Sequence, residues 1–429
     1  MSHADFIRRS ALTLKPDPSM VVLRPFSPSA EPRALLGADA NRVIRVIERV
    51  QSLERREVTR HLDQVMGGFH ERHRDIRAAF ERRFEEIAAP YLIGESPAPS
   101  ERLLIGAYFC QEYSFQSAAL FNPSIVAHPD QSGMIGDQHR IIMSLRAVGE
   151  GHVSSITFRT GIVACDGEVR LDAPNSHCSI PDVTEICGEH CVRVRCNGGA
   201  TLSECVIFPV THSQANGIED LRLVRFIEDG GAIRYYGTYT AYSGTTVSSE
   251  MLQTDDFCNF TLRAVAGDAS HNKGMALFPR RVNGRFAMLG RQDSENIWFL
   301  QSDDPYRWDG GVRILAPKYA WEFMQIGNCG SPIEIDEGWL ILTHGVGAVR
   351  HYAIGAVLLD KRDPTRVLAR TPEPILCADP REREGYVPNV VYTCGAIACG
   401  RTLIIPYGIA DSITTVASTS IDDLLGFMI

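Results

Sequence analysis

The chain contains 429 residues, of which 44% are apolar and 22% charged, a composition typical of a globular protein. Its net charge of −9 argues against nucleic acid as a partner, and no apolar run is long enough to span a membrane. The N-terminal residues carry several charges and no apolar core of a secretory signal, so we expect a cytoplasmic protein.

The N-terminal quarter differs in character from the remaining chain. Residues 1–39 are rich in proline and are predicted to form an extended arm, whereas residues 40–89 show helical periodicity. The apolar stripe of the first helix consists of Val43, Ile47, Val50 and Leu53. Gly67-Gly68 is predicted to separate it from a second helix that runs from Phe69 to Ile87. We assign residues 1–99 to this arm and helical hairpin. A pair this small needs a further surface to cover. We expect it to pack both on the rest of its own chain and on a neighbouring subunit, which favours a homo-oligomer; the alternative is a purely intramolecular contact.

After about residue 100 the chain is predicted to be β throughout. A pattern returns in which a polar or glycine turn precedes a short alternating strand and then a cluster of polar groups. Its copies lie at residues 139–146, 232–242, 284–291, 338–344 and 400–411. The later copies are spaced about 50 to 60 residues apart, the length of a four-stranded propeller blade. We therefore expect an all-β fold for residues 100–429, a five-bladed β-propeller with an N-terminal α-helical extension.

Cysteines are concentrated in a segment that interrupts this pattern, about residues 162–212. The residues there that could bind zinc are Cys187, His190, Cys191 and Cys196. They lack the paired CxxC spacing that is typical of zinc sites. We expect free, buried thiols in a metal-free loop on the propeller, and no cofactor.

The polar groups at the strand ends are candidate functional residues. In a propeller the inner strands converge on the axis, so their ends bring distant residues together. The residues expected to meet there are Arg146, Asp220, Tyr242, Arg291, His344 and Asp411. Asp220 lies in the run Glu219–Arg222, where one carboxylate can accept hydrogen bonds from an arginine while another moves protons. The alternative for this run alone is a salt-bridged turn, but such a set of strand ends predicts a site.

The chain resembles glycoside hydrolase family 130, the mannoside phosphorylases and β-mannosidases with a five-bladed propeller. The similarity covers about residues 108–425. The motifs that carry it are Phe121–Ser124, Ser144–Ala147, Glu219–Arg222, Asn272–Pro279, Leu289–Arg291, Gly338–Gly345 and Pro388–Val391. The chain departs from the family pattern at three positions, where Leu221 replaces a proline, Gly290 a histidine and Thr343 a tyrosine.

The resemblance implies a role for each matched residue. Asp220 matches the catalytic acid. The phosphate-binding positions are matched by Lys273, Arg291 and His344. The sugar-pocket positions are matched by Asn122, Arg146 and Asp411. We add Arg222, which lies beside Asp220, and Tyr242, from the convergence of the strand ends, as substrate-binding residues.

The expected reaction follows from the chemistry of these groups. Inverting cleavage of a glycosidic bond needs an acid for the leaving oxygen and a nucleophile on the opposite face. A cationic pocket that holds phosphate brings in that nucleophile, so we expect a phosphorylase. The resemblance implies that it acts on a β-mannoside and releases mannose 1-phosphate. The partners are then a β-mannoside and phosphate.

Two other functions remain open at this point. An inverting β-mannosidase would need a second carboxylate to activate water, and the candidates are Glu150, Glu382 and Glu384. Glu384 lies in a charged run that is also typical of a surface turn. A sugar-binding propeller without catalysis would need only aromatic platforms, whereas an acid facing cations favours an enzyme.

Overall fold

The computed structural model describes residues 6–26, 42–87, 91, 97–188, 190–196, 201–380 and 382–429. These residues are mostly β with few helices, which confirms the coarse fold class predicted from the sequence. Two compact units can be distinguished. The helical unit comprises the described residues of Ser19–Ser114 and Ser176–Ile180. The β unit comprises those of Met1–Pro18, Phe115–Asn175 and Pro181–Ile429.

The helices are α1 (Arg42–Gln51), α2 (Arg55–Phe69), α3 (Ile76–Ile87), α4 (Pro99–Tyr108) and α5 (Ile421–Phe427). The first fourteen strands are β1 (Arg8–Leu14), β2 (Val21–Pro25), β3 (Cys110–Ser114), β4 (Ala119–Ala127), β5 (His139–Val148), β6 (Ser154–Val163), β7 (Val169–Leu171), β8 (Asp182–Ile186), β9 (Cys191–Arg195), β10 (Val206–Ile207), β11 (Gly217–Ile227), β12 (Ile233–Tyr242), β13 (Val247–Thr254) and β14 (Asn259–Ala264). The remaining strands are β15 (Ala276–Leu277), β16 (Phe286–Gly290), β17 (Ile297–Ser302), β18 (Val312–Leu315), β19 (Gln325–Asn328), β20 (Ile333–Ile335), β21 (Gly338–Gly347), β22 (His351–Leu359), β23 (Val367–Arg370), β24 (Leu376–Cys377), β25 (Val391–Tyr392), β26 (Ile397–Cys399), β27 (Thr402–Ile409) and β28 (Ile413–Ser420).

The helical unit has an apolar core of its own. The buried residues of its main cluster come from α1 to α4 and the residue after α4, and are Ile47, Val50, Val58, Phe84, Leu104, Ile105 and Phe109. The predicted stripe of α1 packs on this cluster, because Val43 and Leu53 also lie against it. The short strands β2 and β3 pair antiparallel in the same unit.

The prediction of two helices in residues 40–89 is wrong, because this segment contains three. The first break comes at Ser52–Glu54, where Glu54 is extended and its N–H donates to the carboxylate of Glu57 at 3.3 Å. Gly67-Gly68 instead lies inside α2. A helix glycine costs about 1 kcal/mol relative to alanine, which the burial of Val58 and Leu62 on the same helix can offset.

The strands of the β unit form five antiparallel groups, called arrays I to V here. Array I contains β4, β5, β6, β7 and β10, and array II contains β8, β9 and β11 to β14. These two share one eleven-stranded sheet and meet at a single parallel bridge between Ser154 and Gly217. Array III contains β15 to β18, array IV contains β19 to β24, and array V contains β25 to β28 together with β1.

Successive arrays pack on each other through apolar clusters. Arrays I and II share a core around Ile142 and Leu223. Arrays II and III meet around Phe226 and Trp308. Arrays III and IV meet around Phe278, and arrays IV and V around Leu342. Array IV is covered on both faces, because alternate residues of β21 lie in different clusters, Trp339 and Ile341 in one and Leu340 and Leu342 in the other. This explains why β21 is almost continuously apolar and buried along its whole length.

Array V also joins the beginning of the chain to its end and lies beside array I. Residues 8–14, assigned from the sequence to an extended arm, form β1, which pairs with β28 so that Arg8 faces Ser418. Between arrays I and V, the N–H of Leu120 donates to the carbonyl of Ser412 at 2.9 Å. No helix of the described residues is long and apolar enough to cross a membrane.

The cysteine-rich segment differs from the loop that we expected. Its strands β9 and β8 extend array II, because β9 pairs with β14 and β8 with β9. Cys196 forms a disulfide with Cys205, and Cys165 forms one with Cys399 of array V. The expectation of free thiols throughout is therefore wrong for these four cysteines. The fold brings Cys165 close to Cys399, 234 positions away, whereas Cys196 and Cys205 are joined across a short loop.

Candidate active site

The candidate acid Asp220 lies at an interruption of a β-ladder. The pairing of β11 with β12 shifts between Glu219 and Arg222, and Asp220 has a φ of 54°. The pairing of β4 with β5 shifts in the same way between Phe121 and Ser124, where Asn122 has a φ of 48°. Positive φ at non-glycine residues is uncommon and concentrates at functional sites. Both bulges turn a polar side chain out of its strand.

Two neighbours hold the carboxylate of Asp220. The amide Nδ2 of Asn122 donates to Oδ1 at 2.8 Å, and Nη1 of Arg146 donates to the same oxygen at 3.2 Å. Nη2 of Arg146 donates to Glu219 at 2.8 Å, and its Nε donates to the hydroxyl of Ser154 at 2.9 Å. Arg146 thus orients both carboxylates of the Glu219-Asp220 pair. The sequence analysis expected this pairing from Arg222 of the same run, and that expectation is wrong, because Arg222 donates to the backbone carbonyl of Asp220 instead.

Arg222 is fixed from a different direction. Its Nη1 donates to the backbone carbonyl of Asp220, its Nε to the carbonyl of Cys329, and its Nη2 to the hydroxyl of Tyr392. It is 3% exposed, and none of these acceptors is a carboxylate. Its positive charge therefore remains available to the site, where it acts on Asp220 and on the imidazole of His344.

The electrostatics of the site separate two carboxyl groups. Burial acts to raise the pKa of Asp220, but the guanidinium groups of Arg146 and Arg222, the Asn122 amide and the Lys273 ammonium outweigh it, so the pKa is lowered. Burial and the neighbouring Asp220 carboxylate raise the pKa of Asp411 to about 6. Asp411 lies between β27 and β28 with a φ of 50°, and the charges of Arg146 and Arg350 act on it as well.

A pocket of cations lies on arrays III and IV, beside Asp220. Arg291 is 8% exposed, its Nε has no hydrogen-bond partner, and it forms no ion pair with the described carboxylates. His344 is 1% exposed and its Nδ1 is also unpartnered. Burial, reinforced by Arg291, Arg222 and Lys273, lowers the pKa of His344 well below its ordinary value, so the imidazole is neutral. Lys273 is exposed and completes the pocket.

Two glycines allow Arg291 to approach His344. A Cβ at Gly327 would lie 2.5 Å from Cε1 of His344 and 2.8 Å from Nε of Arg291. A Cβ at Gly274, which has a φ of 95°, would lie 2.9 Å from Cδ of Arg291. A buried cation without a counterion is costly unless an anion binds. The pocket is therefore suited to an anion with several acceptor oxygens, such as phosphate.

Most of the predicted site residues interact in the structure. The interacting residues are Asn122, Arg146, Asp220, Arg222, Lys273, Arg291, His344 and Asp411. Tyr242 is the last residue of β12, which pairs with the strand that carries Asp220. Its hydroxyl donates to the carbonyl of Gly244 at 2.9 Å rather than to this cluster. Its role in substrate binding stays a prediction.

The carboxylates proposed for a hydrolase are more exposed than Asp220. Glu382 pairs with Arg9 of β1 at 2.7 Å, and Glu384 is exposed. Glu150 is exposed in the turn between β5 and β6. Glu219 shares Arg146 with Asp220, and the charge of Asp411 interacts with that of Asp220, so these two carboxyl groups join the candidates for a second carboxylate.

Of the zinc ligands considered from the sequence, Cys187 and Cys191 contact each other. Cys196 is paired with Cys205, and the β8–β9 hairpin carries Cys187 and Cys191. Within the described part of the chain, the metal-type donors that cluster are His139, Cys165 and Cys399, and the two cysteines are joined to each other.

Sequence reasoning missed the aromatic residues behind the cation pocket. Tyr392 receives the Arg222 hydrogen bond, and its ring centroid lies 4.9 Å from that of His344. Tyr352 stacks on His344 with a centroid distance of 5.9 Å. Tyr392 directly follows the motif Pro388–Val391, which was the available signal for it.

The chain matches a family of known enzymes. The model of glycoside hydrolase family 130, described as beta-1,4-mannooligosaccharide phosphorylase, matches residues 200–429, more than half of the chain. The 1,2-beta-oligomannan phosphorylase of Thermoanaerobacter sp. (strain X514) is 34% identical over 230 residues, which are 52% of this chain and 75% of the relative. The beta-1,2-mannobiose phosphorylase of the same organism is 36% identical over 206 residues, 46% of this chain and 65% of that relative, slightly under two thirds.

A solved structure agrees in fold. It is described by the words "The GH130 family of mannoside phosphorylases contains glycoside hydrolases that target beta-1,2 mannosidic linkages in Candida mannan". It is 18% identical with a TM-score of 0.54, and the match covers 72% of this chain and 86% of that chain. The resemblance inferred from the motifs is thus confirmed, and the chain is a carbohydrate-active enzyme that belongs to glycoside hydrolase family 130.

Proposed function

We propose that the protein is an inverting phosphorylase that cleaves a β-mannoside with inorganic phosphate and releases mannose 1-phosphate. The observation that carries this proposal is the cation pocket beside Asp220, in which Arg291 is buried without a carboxylate partner. The exposed Lys273 adds a donor for the same anion, and so does Nδ1 of the neutral His344 in the tautomer that carries its proton there. The names of the two Thermoanaerobacter relatives support the same reaction class.

The residues divide the reaction between two sides of the sugar. On one side, Asp220 protonates the leaving oxygen, and Asn122 and Arg146 orient its carboxyl group. On the other, Lys273 and Arg291 hold phosphate so that one of its oxygens attacks the anomeric carbon in line. No protein carboxylate has to activate this nucleophile, since phosphate is already an anion. We propose that the reaction needs no cofactor beyond phosphate as co-substrate.

The lowered pKa of Asp220 needs an explanation, because a general acid must carry a proton. The cations that lower this pKa include Arg222 and Lys273, which also border the anion pocket. A bound phosphate dianion would offset their positive charge and raise the pKa of Asp220. In this scheme, binding of the co-substrate prepares the acid for the step in which it acts.

We further propose that arrays I to V are the blades of a five-bladed β-propeller. Three observations support this: there are five arrays, successive arrays share apolar cores, and array V contacts array I. The pairing of β1 with β28 places an N-terminal strand in the last array, a device that favours ring closure.

The alternative is an inverting β-mannosidase, and one observation favours it. Asp411 is a second buried carboxyl group whose charge interacts with that of Asp220, and it could activate water after losing its proton. The words that describe the solved structure name hydrolases within the family. In this case, the cation pocket would have no assigned anion.

A product assay separates the two reactions. The protein is incubated with β-1,2- and β-1,4-mannobiose, with and without inorganic phosphate, and the products are followed by ³¹P and ¹H NMR. We expect mannose 1-phosphate to form only with phosphate. Release of free mannose at the same rate without phosphate would overturn the phosphorylase and favour the hydrolase.

Two further expectations concern the protein as a whole. We propose a homo-oligomer, supported by the exposed Phe69 and Tyr108 around a cavity of about 400 Å³ in the helical unit. Light scattering of the wild type and of Tyr108→Glu tests this, because loss of the contact should lower the molar mass.

A cytoplasmic location stays a prediction, and the two disulfides bear on it because persistent disulfides are uncommon in reducing compartments.

A further inference from the structure

We propose that His152 and Tyr386 form a platform for the leaving-group sugar and so determine which acceptor the site takes. This inference rests on the proposed phosphorylase function. The hydroxyl of Tyr386 and Nδ1 of His152 lie 3.0 Å apart, and the ring centroids are 5.5 Å apart at 37°. Both residues are exposed, with Tyr386 at 56%, although they are separated by 234 positions in the sequence.

The backbone of His152 is tied to the catalytic cluster. His152 lies in the turn between β5 and β6, where its N–H donates to Gly149 at 3.2 Å and its φ is 59°. Two residues later, Ser154 accepts the hydrogen bond from Nε of Arg146. Ser154 also forms the bridge to Gly217, at the start of the strand that carries Asp220. The turn is therefore anchored beside the acid.

Tyr386 is anchored beside Asp411. Its N–H donates to the hydroxyl of Ser412 at 2.7 Å, and the next N–H, of Val387, donates to the carbonyl of Ala410 at 2.9 Å. These two bonds enclose Asp411. A Cβ at the preceding Gly385 would lie 2.5 Å from that of Ala410, so this segment lies directly against the connection between β27 and β28. The position of the ring is thus set by the same connection that carries Asp411.

The position of the pair relative to the phosphate pocket indicates which sugar it contacts. Lys273, Arg291 and His344 belong to or precede strands of arrays III and IV. The His152–Tyr386 pair instead joins the β5–β6 turn of array I to the segment before β25 of array V. Inversion requires the nucleophile and the leaving group on opposite faces of the anomeric carbon. With phosphate on arrays III and IV, the leaving sugar lies toward arrays I and V.

The chemistry of the pair suits a sugar. An exposed phenol ring offers a flat apolar face to sugar C–H groups, and the bridging hydroxyl and imidazole offer a donor and an acceptor at its edge. The mutual hydrogen bond fixes both rings before the ligand arrives, which lowers the entropic cost of binding. His152 and Tyr386 would bind the acceptor without taking part in bond cleavage.

The test compares acceptor with donor in the synthetic direction, with mannose 1-phosphate as donor and mannose or β-mannobiose as acceptor. For Tyr386→Ala we expect the KM of the acceptor to rise at least about tenfold, the loss expected for one good contact, with the KM of mannose 1-phosphate and of phosphate within about twofold. Tyr386→Phe keeps the ring and loses the hydroxyl, so its acceptor KM should lie between those of the wild type and Tyr386→Ala. Ile233→Ala removes an exposed apolar side chain at the far end of β12 and should change nothing.

An unchanged acceptor KM in Tyr386→Ala would overturn the platform, and so would equal changes in the donor and acceptor KM. The result stays interpretable if the proposed function fails. A wild type without phosphate-dependent activity would overturn the proposed phosphorylase function. In that case, NMR titration with β-mannobiose tests whether His152 and Tyr386 bind a sugar. Binding weakened about tenfold or more in Tyr386→Ala supports it. Equal binding by both proteins, or none by the wild type, overturns it.

Discussion

The amide of Asn122 donates to Oδ1 of Asp220 at 2.8 Å, and both residues hold positive φ at matching interruptions of two β-ladders. A positive φ at such a residue costs about 1 to 3 kcal/mol and persists only where the surrounding structure enforces it. Here Arg146 binds the same carboxylate oxygen and also Glu219, which stabilises the arrangement. This preorganised geometry fits the acid role proposed for Asp220.

Asp220→Asn should abolish turnover while leaving the fold intact. The amide keeps an oxygen that can accept from Asn122 and Arg146, but it cannot deliver a proton to the leaving oxygen. We expect a loss of at least about a hundredfold in kcat, the usual contribution of a general acid. Rates of mannose 1-phosphate release measure this, with circular dichroism as the control for folding. A variant that keeps more than about a tenth of the wild-type rate would contradict the assignment.

Lys273→Ala and Arg291→Ala should mainly weaken the use of phosphate. Hydrogen bonds to a charged group contribute about 1.5 to 3 kcal/mol each, so the KM for phosphate should rise by about tenfold or more. Arg285→Ala is a matched control, because Arg285 lies in the same array and forms an exposed ion pair with Asp303. Initial rates at varied phosphate and saturating mannoside give the comparison. Equal effects of all three substitutions would argue against a phosphate pocket.

The sequence predicted the parts of the site that local patterns encode. Asp220, Arg222 and Arg291 lie in short motifs at predicted strand ends. Such an end can be located in the sequence where the alternation with period two stops. The contact of Arg222 with Tyr392 crosses 170 positions, so no local pattern indicates it. The same holds for the pairing of β1 with β28, which depends on the closure of the whole β unit.

The helical unit and the cysteines show where residue types mislead. Gly67-Gly68 suggested a helix end because glycine disfavours helices, yet tertiary packing carries α2 through it. The break came instead at Glu54, where a capping interaction with Glu57 begins the next helix. Cys165 and Cys399 are 234 positions apart, so no sequence motif links them. They meet only because arrays I and V are neighbours in the fold.

The difference in unfolding free energy between Asp411→Asn and wild type should favour the variant more at pH 8 than at pH 4. The folded pKa of about 6 exceeds the ordinary 3.8, so the folded state favours the protonated form. This contribution to stability is present below about pH 4 and is lost as the pH rises through 6. A shift of two pKa units corresponds to about 3 kcal/mol, an upper value for a group with some solvent contact.

Urea unfolding at both pH values measures the difference in unfolding free energy between variant and wild type. Asp303→Asn, at an exposed carboxylate, controls for the loss of a surface charge. The variant should also lose activity, because Asp411 borders the acid. A stability difference that is the same at both pH values would show that Asp411 is not held protonated in the folded protein.

Reduction of the Cys165–Cys399 disulfide should destabilise the protein more than loss of Cys196–Cys205. Closing a loop in the unfolded chain removes entropy that grows with loop length. The sequence separations of 234 and 9 correspond to roughly 5 and 2.5 kcal/mol in that treatment. Denaturant unfolding of Cys399→Ser and Cys205→Ser under oxidising conditions measures each contribution. With reductant present, the wild type should fall to about the stability of the double variant.

Thiol titration of the unfolded, unreduced protein provides the independent check, since two disulfides leave eight free thiols among the twelve cysteines. A titre of twelve would refute the pairing, and reductant would then leave the stability of the wild type unchanged.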